Sequence, residues 1–304
     1  MKDLIILGNG MAGMTAALYA KRANLDFKIV GKDEFNFGQI GNAISVENYP
    51  CAAGLSGFNL AMNLYNQLEA NDVQIEEHEI VSVQKAKGTS TTKYLIKYTD
   101  GITDEAKSVI YALGAAPRKL DCEIEEGVSI HYCALCDGPL YKNKRVAIIG
   151  GGDVAFTQAE YLSKICEEVY IIMCDRNVTA SPSTFERVSK IHNVHISYDC
   201  PVVRITKDKY GILWIWCDGV SGSISAEGVF VAIGMKPNTK PLRSLIPLYD
   251  GGYINCWEDS LQSMHSPGLF AAGDVRVKKV RQAITAAADG AIAVQSVIDY
   301  LKEA

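Results

Sequence analysis

Short apolar runs recur along the chain, and two of the clearest stop at glycine. Residues 3–7 (Asp-Leu-Ile-Ile-Leu) run into Gly8, and residues 145–149 (Arg-Val-Ala-Ile-Ile) run into Gly150. Runs of this length, bounded by a turn residue, predict short apolar strands. Each is followed by a glycine turn, Gly8-Asn9-Gly10-Met11-Ala12-Gly13 and Gly150-Gly151-Gly152-Asp153-Val154-Ala155. Small-residue helical patterns follow, Met14 to Ala23 in the first case and through Ser163 in the second. The next apolar runs are Phe27–Val30 and Val169–Met173. Strand, glycine turn, helix and second strand open a dinucleotide-binding βαβ unit, so the pattern predicts that unit twice.

Period-two segments come after each unit. Residues 80–83, 93–98 and 108–112 form one predicted set of strands, and residues 202–206, 211–217 and 228–233 the other. Each set ends in a similar phrase, Tyr111-Ala112-Leu113-Gly114-Ala115-Ala116-Pro117 and Val231-Ala232-Ile233-Gly234-Met235-Lys236-Pro237. Glycine and then proline carry a chain out of a sheet. The expectation is an α/β fold of two three-layer Rossmann-like dinucleotide-binding domains, the second inserted in the first. The first domain takes residues 1–114 and 240–304, and the inserted one residues 115–239.

Length agrees with this plan, since 304 residues suffice for two cores. The net charge of −5 and the absence of clustered Lys and Arg argue against nucleic acid or an anionic membrane as partner. The start, Met-Lys-Asp-Leu-Ile-Ile-Leu-Gly, does not read as a signal peptide. No apolar run approaches the roughly 18 residues of a spanning helix. A soluble, cytoplasmic protein is expected.

Nine cysteines sharpen the chemistry. Cys51, Cys122, Cys166, Cys174, Cys200, Cys217 and Cys256 are scattered, and each is expected to be a small buried hydrophobe. Cys133-Ala134-Leu135-Cys136 is different, because that spacing brings two sulfurs within bonding distance at a helix start. It also favours the thiolate, the form that attacks disulfides. Asp137 follows at once and is placed to move a proton to or from a leaving thiolate. A zinc half-site needs a second ligand pair, and no other Cys-x-x-Cys exists. His192 and His195 flank the start of a predicted strand, where that spacing sends side chains to opposite faces. A pair of inert thiols is the remaining alternative.

The first glycine motif has the tight turn (Gly8), the position of close phosphate approach (Gly10) and the helix–strand packing site (Gly13) of a dinucleotide fingerprint. The usual acidic residue ending the second strand is replaced by Gly31, with Asp33 and Glu34 just after it. Near the C-terminus, Leu269-Phe270-Ala271-Ala272-Gly273-Asp274-Val275 delivers a Gly-Asp pair towards a helical pattern, Ala283 to Tyr300. Asp274 reads equally well as a polyol-binding carboxylate or as an ordinary turn or cap.

These motifs together resemble the low-molecular-weight thioredoxin reductases, almost end to end. The residues that carry the likeness are Gly8–Gly13, Arg22-Ala23-Asn24-Leu25, Gly38-Gln39, Val46-Glu47-Asn48-Tyr49-Pro50, Cys133–Gly138, Gly150–Ala155, Phe230–Pro237, Phe270–Arg276 and Arg281-Gln282-Ala283. The resemblance implies FAD in the first domain. Its contacts would be Gly8, Gly10, Met11, Ala12 and Gly13 at the pyrophosphate, and Gly38, Gln39 and Asn48 along the flavin. Gly273 and Asp274 would reach the ribityl chain, with Arg281, Gln282 and Ala283 near the pyrimidine edge. It further implies that Cys136 exchanges electrons with the flavin, Cys133 attacks the protein substrate, and Asp137 is the acid/base. Thioredoxin as partner, a homodimer, and a second domain that rotates to carry the dithiol between flavin and thioredoxin are implied as well.

One departure bears on the electron donor. Family members that use NADPH carry cations for its 2′-phosphate after the second strand of the inserted domain. Here that place reads Met173-Cys174-Asp175-Arg176-Asn177. The family's acidic pair after the second glycine motif has become Thr157-Gln158. Both losses together resemble the ferredoxin-dependent flavin thioredoxin reductases, so ferredoxin is the expected donor, with NADH or NADPH as alternatives. An acidic ferredoxin needs local basic surface, for which Lys278, Lys279 and Arg281, or Lys142, Lys144 and Arg145, are the candidates. A non-catalytic flavoprotein, or a glutaredoxin-like partner in place of thioredoxin, are further alternatives.

Overall fold

The computed structural model describes residues 1–43, 46, 48–86 and 93–303. Glu47 of the resemblance lies outside them. The chain divides into two compact units, Met1–Ala116 with Lys236–Ala304, and Pro117–Met235. The two connecting segments form the short strands Ala115–Pro117 and Met235–Pro237, which pair with each other. Both units are Rossmann-like, an α/β mix around parallel sheets.

In the first unit a sheet of seven strands runs in the order Ile75–Glu77, Phe27–Gly31, Lys2–Leu7, Thr103–Tyr111, Tyr94–Tyr98, Ile80–Lys85, with Leu269–Ala271 also pairing with Thr103–Tyr111. Thr103–Tyr111 belongs to two ladders. Its first half is antiparallel to Tyr94–Tyr98, and its second half runs parallel to Lys2–Leu7 and Leu269–Ala271. Leu4, Ile5, Ile6 and Leu7 are wholly buried, which is why this strand reads as an unbroken apolar run. The helices Met11–Arg22 and Ala283–Glu303 supply buried Met14, Ala16, Ala17, Ala293, Val294 and Val297 to the same core. The first helix begins at Met11, three residues before the Met14 expected from its small-residue pattern.

The second unit holds a five-stranded parallel sheet, ordered Val194–Ser197, Glu168–Ile172, Arg145–Ile149, Gly228–Val231, Ile130–His131. A second sheet follows the order Ser223–Ala226, Leu213–Cys217, Val202–Lys207, Glu123–Ile124. Helices Asp153–Leu162 and Pro182–Ser189 pack on the parallel sheet through Phe156, Leu162 and Val188. Among the described residues, no helix is long and apolar enough to cross a membrane.

The scattered cysteines depart from expectation. Cys200 and Cys217 are buried but joined in a disulfide, across the ends of Val202–Lys207 and Leu213–Cys217. They are 17 positions apart in the chain, so only the pairing of these strands brings them together. Cys51 and Cys174 are exposed, and Cys122 is half-buried. Cys166 and Cys256 are the buried small hydrophobes expected of all seven.

Candidate active site

The Cys133–Cys136 pair caps a single helical turn, Ala134–Asp137. Cys133 is extended (φ −134°, ψ 104°), while its carbonyl accepts from the N–H groups of Cys136 (3.2 Å) and Asp137 (3.0 Å). The Cys136 N–H also lies 3.2 Å from Cys133 Sγ. One helical turn thus stacks position i+3 beneath the cap, and the two sulfurs are bonded. Both cysteines are half-buried, whereas Asp137 is buried. Asp137 Oδ1 is shielded and has no partner, while Oδ2 lies 2.9 Å from His131 Nδ1. The other ring nitrogen of His131 is 2.6 Å from the Tyr141 hydroxyl. His131 and Tyr141 were not anticipated from the sequence. The available sign was a histidine two residues before a Cys-x-x-Cys, on a strand delivering it to the same point.

In the first unit, the glycine turn has the backbone its motif demands. Gly8 sits at φ +111°, and a Cβ on Gly13 would overlap the Gly8 carbonyl. Helix Met11–Arg22 starts without a side-chain cap and without an acidic residue in its first turn. Its bare N–H groups therefore suit an anionic group. Asn9 donates to the carbonyls of Asp33 (2.8 Å) and Glu34 (3.2 Å), tying the turn to the loop after the second strand.

Several predicted residues converge on this turn. A Cβ on Gly273 would stand 3.1 Å from Ala12 Cβ, so the Gly273-Asp274 corner lies against the first helix. Ala283 packs on the small cluster containing Met11, and Asn48 donates to Gln282 at 3.0 Å. Gly38 and Gln39 open a short 3-10 turn, Gly38–Asn42. Asp274 is mostly buried, its Oδ1 has no partner, and burial raises its pKa against the pull of Lys278 and Arg281. Arg281 Nε is likewise buried and unpartnered, with its guanidinium stacked 4.4 Å from the Tyr253 ring centroid. Two orphaned polar atoms beside an uncapped helix start fit a bound dinucleotide that offers both donors and acceptors.

Behind the corner is a buried ion cluster that sequence reading overlooked. Asp289 accepts from Arg276 Nε and NH2 (both 3.0 Å), from Lys278 Nζ (2.8 Å) and from the Gly273 N–H (2.9 Å). Lys278 is consequently buried, which removes it as a docking charge for an acidic protein. Lys279, Lys142 and Lys144 remain exposed.

The second glycine turn differs. Gly150 has φ +148°, but Asp153 stands in the first turn of helix Asp153–Leu162. The backbone N–H of Ser181, 2.9 Å away, keeps the Asp153 carboxyl below the usual carboxylate range. Asp175 accepts from the Asn177 N–H (2.8 Å), and Arg176 is paired with Asp199 (2.5 Å). His195 is paired with Glu168, and among the described residues no group of three or more His, Cys, Asp or Glu is placed to hold a metal.

Two dinucleotide folds and one dithiol define a class, the nucleotide-dependent disulfide oxidoreductases. The profile of the pyridine nucleotide-disulphide oxidoreductases matches residues 2–290. The thioredoxin reductase of Borreliella burgdorferi is 35% identical over 310 residues, covering 99% of this chain and 93% of the relative. That of Listeria monocytogenes is 34% identical over 308 residues, with coverage of 99% and 94%. The crystal structure of thioredoxin reductase from Streptococcus pyogenes superposes with a TM-score of 0.88 at 33% identity, covering 100% of this chain and 99% of that one. The chain belongs to the pyridine nucleotide-disulphide oxidoreductases, and among them to the low-molecular-weight thioredoxin reductases. The family binds FAD, and the first unit's residues fit that group.

Proposed function

We propose that the protein reduces the disulfide of thioredoxin with electrons from a nicotinamide dinucleotide, relayed through FAD and the Cys133/Cys136 pair. The observation that carries this reading is a bonded, half-buried Cys-x-x-Cys on one helical turn with a buried carboxylate directly behind it. FAD supplies the two-electron relay between dinucleotide and disulfide. Gly8, Gly10, Met11, Ala12 and Gly13 would hold its phosphates. Gly38, Gln39, Asn48, Gly273, Asp274, Arg281, Gln282 and Ala283 would line the rest. Once the bridge is opened, the Cys133 thiolate attacks thioredoxin, and Asp137 gives a proton to the departing thiolate. Cys136 then closes the bridge and releases the second thiolate. Two electrons and two protons leave the enzyme for each thioredoxin. The same reading makes the protein a cytoplasmic homodimer.

The family profile spans the whole inserted unit, which supports a nicotinamide donor over the ferredoxin expected from the sequence. Burial of Lys278 also depletes one of the two basic surfaces a ferredoxin would use. Within the nicotinamide reading, Arg176 is already paired with Asp199 and Asp175 precedes it in the chain, which suits the free ribose of NADH and disfavours a 2′-phosphate. One observation favours ferredoxin as a second reading. The helix start after Gly150–Gly152 already carries the Asp153 carboxylate, where a pyrophosphate would need bare N–H groups.

Anaerobic titration of the flavin-loaded protein separates these donors. NADH at micromolar concentration is expected to bleach the flavin faster than equal NADPH. Bleaching by reduced ferredoxin alone would overturn the nicotinamide reading. Failure of the reduced protein to reduce thioredoxin would overturn the substrate.

A further inference from the structure

We infer that His131, held by Tyr141, is the positioning residue of the dithiol exchange: it occupies one oxygen of Asp137 and so fixes the other as the one that handles the proton. The inference rests on the disulfide-reductase reading above and extends it to residues outside the Cys-x-x-Cys-Asp motif.

The tautomer follows from the partners. Burial raises the Tyr141 hydroxyl pKa, and the charge of Asp137 adds to this, so the hydroxyl keeps its proton and donates it to His131 Nε2. Nε2 is then the acceptor, and the ring proton sits on Nδ1, which donates to Asp137 Oδ2 at 2.9 Å. A ring held at both nitrogens cannot swing away. It is also packed between Phe230, with centroids 5.3 Å apart, and the edge of Tyr141, at 5.2 Å. The fold makes room for this stack. Gly228 lies where any Cβ would overlap the Tyr141 ring. His131 itself is fixed by the pairing of Ile130–His131 with Val229–Phe230.

The consequence falls on Asp137. Oδ2 is committed to His131, and Oδ1 is buried with no partner. An unpartnered buried carboxylate oxygen is costly unless it has work to do. Oδ1 is therefore the atom that receives and returns the proton of the exchange. The charged and titratable groups facing the ring are Asp137 and Tyr141, with the Lys144 ammonium 5.8 Å from the Tyr141 ring centroid. Tyr141 is half-buried, so the row Tyr141, His131, Asp137 runs from a partly exposed ring to the buried residue next to Cys136. Each round moves one proton from Asp137 to the departing thiolate. Oδ1 takes a proton back from the Cys136 thiol as the bridge closes, while the row keeps Oδ2 and the His131 ring in place.

The test uses flavin-loaded protein reduced beforehand with dithionite, and follows the exchange half-reaction against pH. Acceptors are thioredoxin and, separately, a small aromatic disulfide. Tyr141→Phe removes one oxygen and leaves the ring in place. It is expected to slow exchange about tenfold and to move the limb of the pH–rate profile. His131→Ala is expected to lose more and to change the pH–rate profile further, since Oδ2 then has no donor. His131→Asn, which can restore a donor at the Nδ1 place, is expected to recover part of the rate but not the wild-type profile. Reduction of the flavin by dithionite should be equal in all variants. Profiles of Tyr141→Phe and His131→Asn that superpose on wild type would overturn the inference. Wild-type protein that is active on the small disulfide but inert towards thioredoxin would instead overturn the substrate reading, and the small-disulfide profile would still decide the role of His131.

Discussion

Asp289 grips Arg276 with both carboxylate oxygens, each at 3.0 Å, in a part of the first unit where both side chains are almost completely buried. Lys278 and the Gly273 N–H complete the shell of the same carboxylate. A single anion therefore holds two cations and pins the corner that presents Asp274. A neutral amide in its place would remove the carboxylate that both buried cations share.

Asp289→Asn is accordingly expected to destabilise the first unit by about 3–5 kcal/mol, a typical cost for removing one partner of a buried pair. Thermal unfolding should shift down by about 10 °C, and FAD should wash out more readily on gel filtration. Unchanged melting and flavin retention would show that the cluster is not what holds the corner.

The two active cysteines should separate in function. Cys133→Ser is expected to leave flavin reduction intact and to lower thioredoxin turnover by at least about a thousandfold. Cys136→Ser should leave the flavin reduced, with no intramolecular acceptor. A mixed disulfide trapped with thioredoxin in the Cys136 variant but not in the Cys133 variant would confirm which sulfur attacks. The reverse pattern would exchange their roles.

Nucleotide preference is expected to respond to Asp175. An exposed unit charge at a few ångströms acts with about 1 kcal/mol in water. Asp175→Ala should therefore lower the KM for NADPH about fivefold relative to that for NADH. Steady-state kinetics with both nucleotides decide this. A ratio that does not move removes Asp175 from nucleotide selection.

Thiol labelling has a predicted order and pH dependence. Burial pushes the Cys166 thiol from its ordinary 9.0 up to about 11, and Cys256 is raised too, by burial against the opposing pull of Arg276. Native protein at pH 8 should be alkylated at Cys51 and Cys174, which are exposed, and not at Cys166 or Cys256. The sign for stability follows from linkage. A thiol whose pKa rises on folding contributes fully below about pH 9 and loses that contribution as pH climbs through about 11. Peptide mapping after brief iodoacetamide treatment checks the order.

The sequence carries the βαβ units because their strands are buried on both faces, as with Leu4–Leu7, and their turns need glycine, as at Gly8. The redox pair is legible because its partners are three residues apart and interact within one turn. Partners brought in by strand pairing are not. His131 meets Tyr141 over a short stretch of chain, but their contact depends on Gly228 and Phe230 far downstream. Asp289 joins Arg276 from the middle of a helix, where an acidic residue looks like ordinary solvated surface. The bridge between Cys200 and Cys217 escapes notice for the same reason, since neither cysteine has a local companion.

That second bridge changes the electron count of the molecule. The oxidised chain is four hydrogen atoms lighter than one with nine free thiols, because two bonds each lack a pair. Under the proposed function, one of the pairs is spent and restored at every turnover. The other joins two residues that are each under a tenth exposed, so its two oxidising equivalents are shielded from reductants in solution.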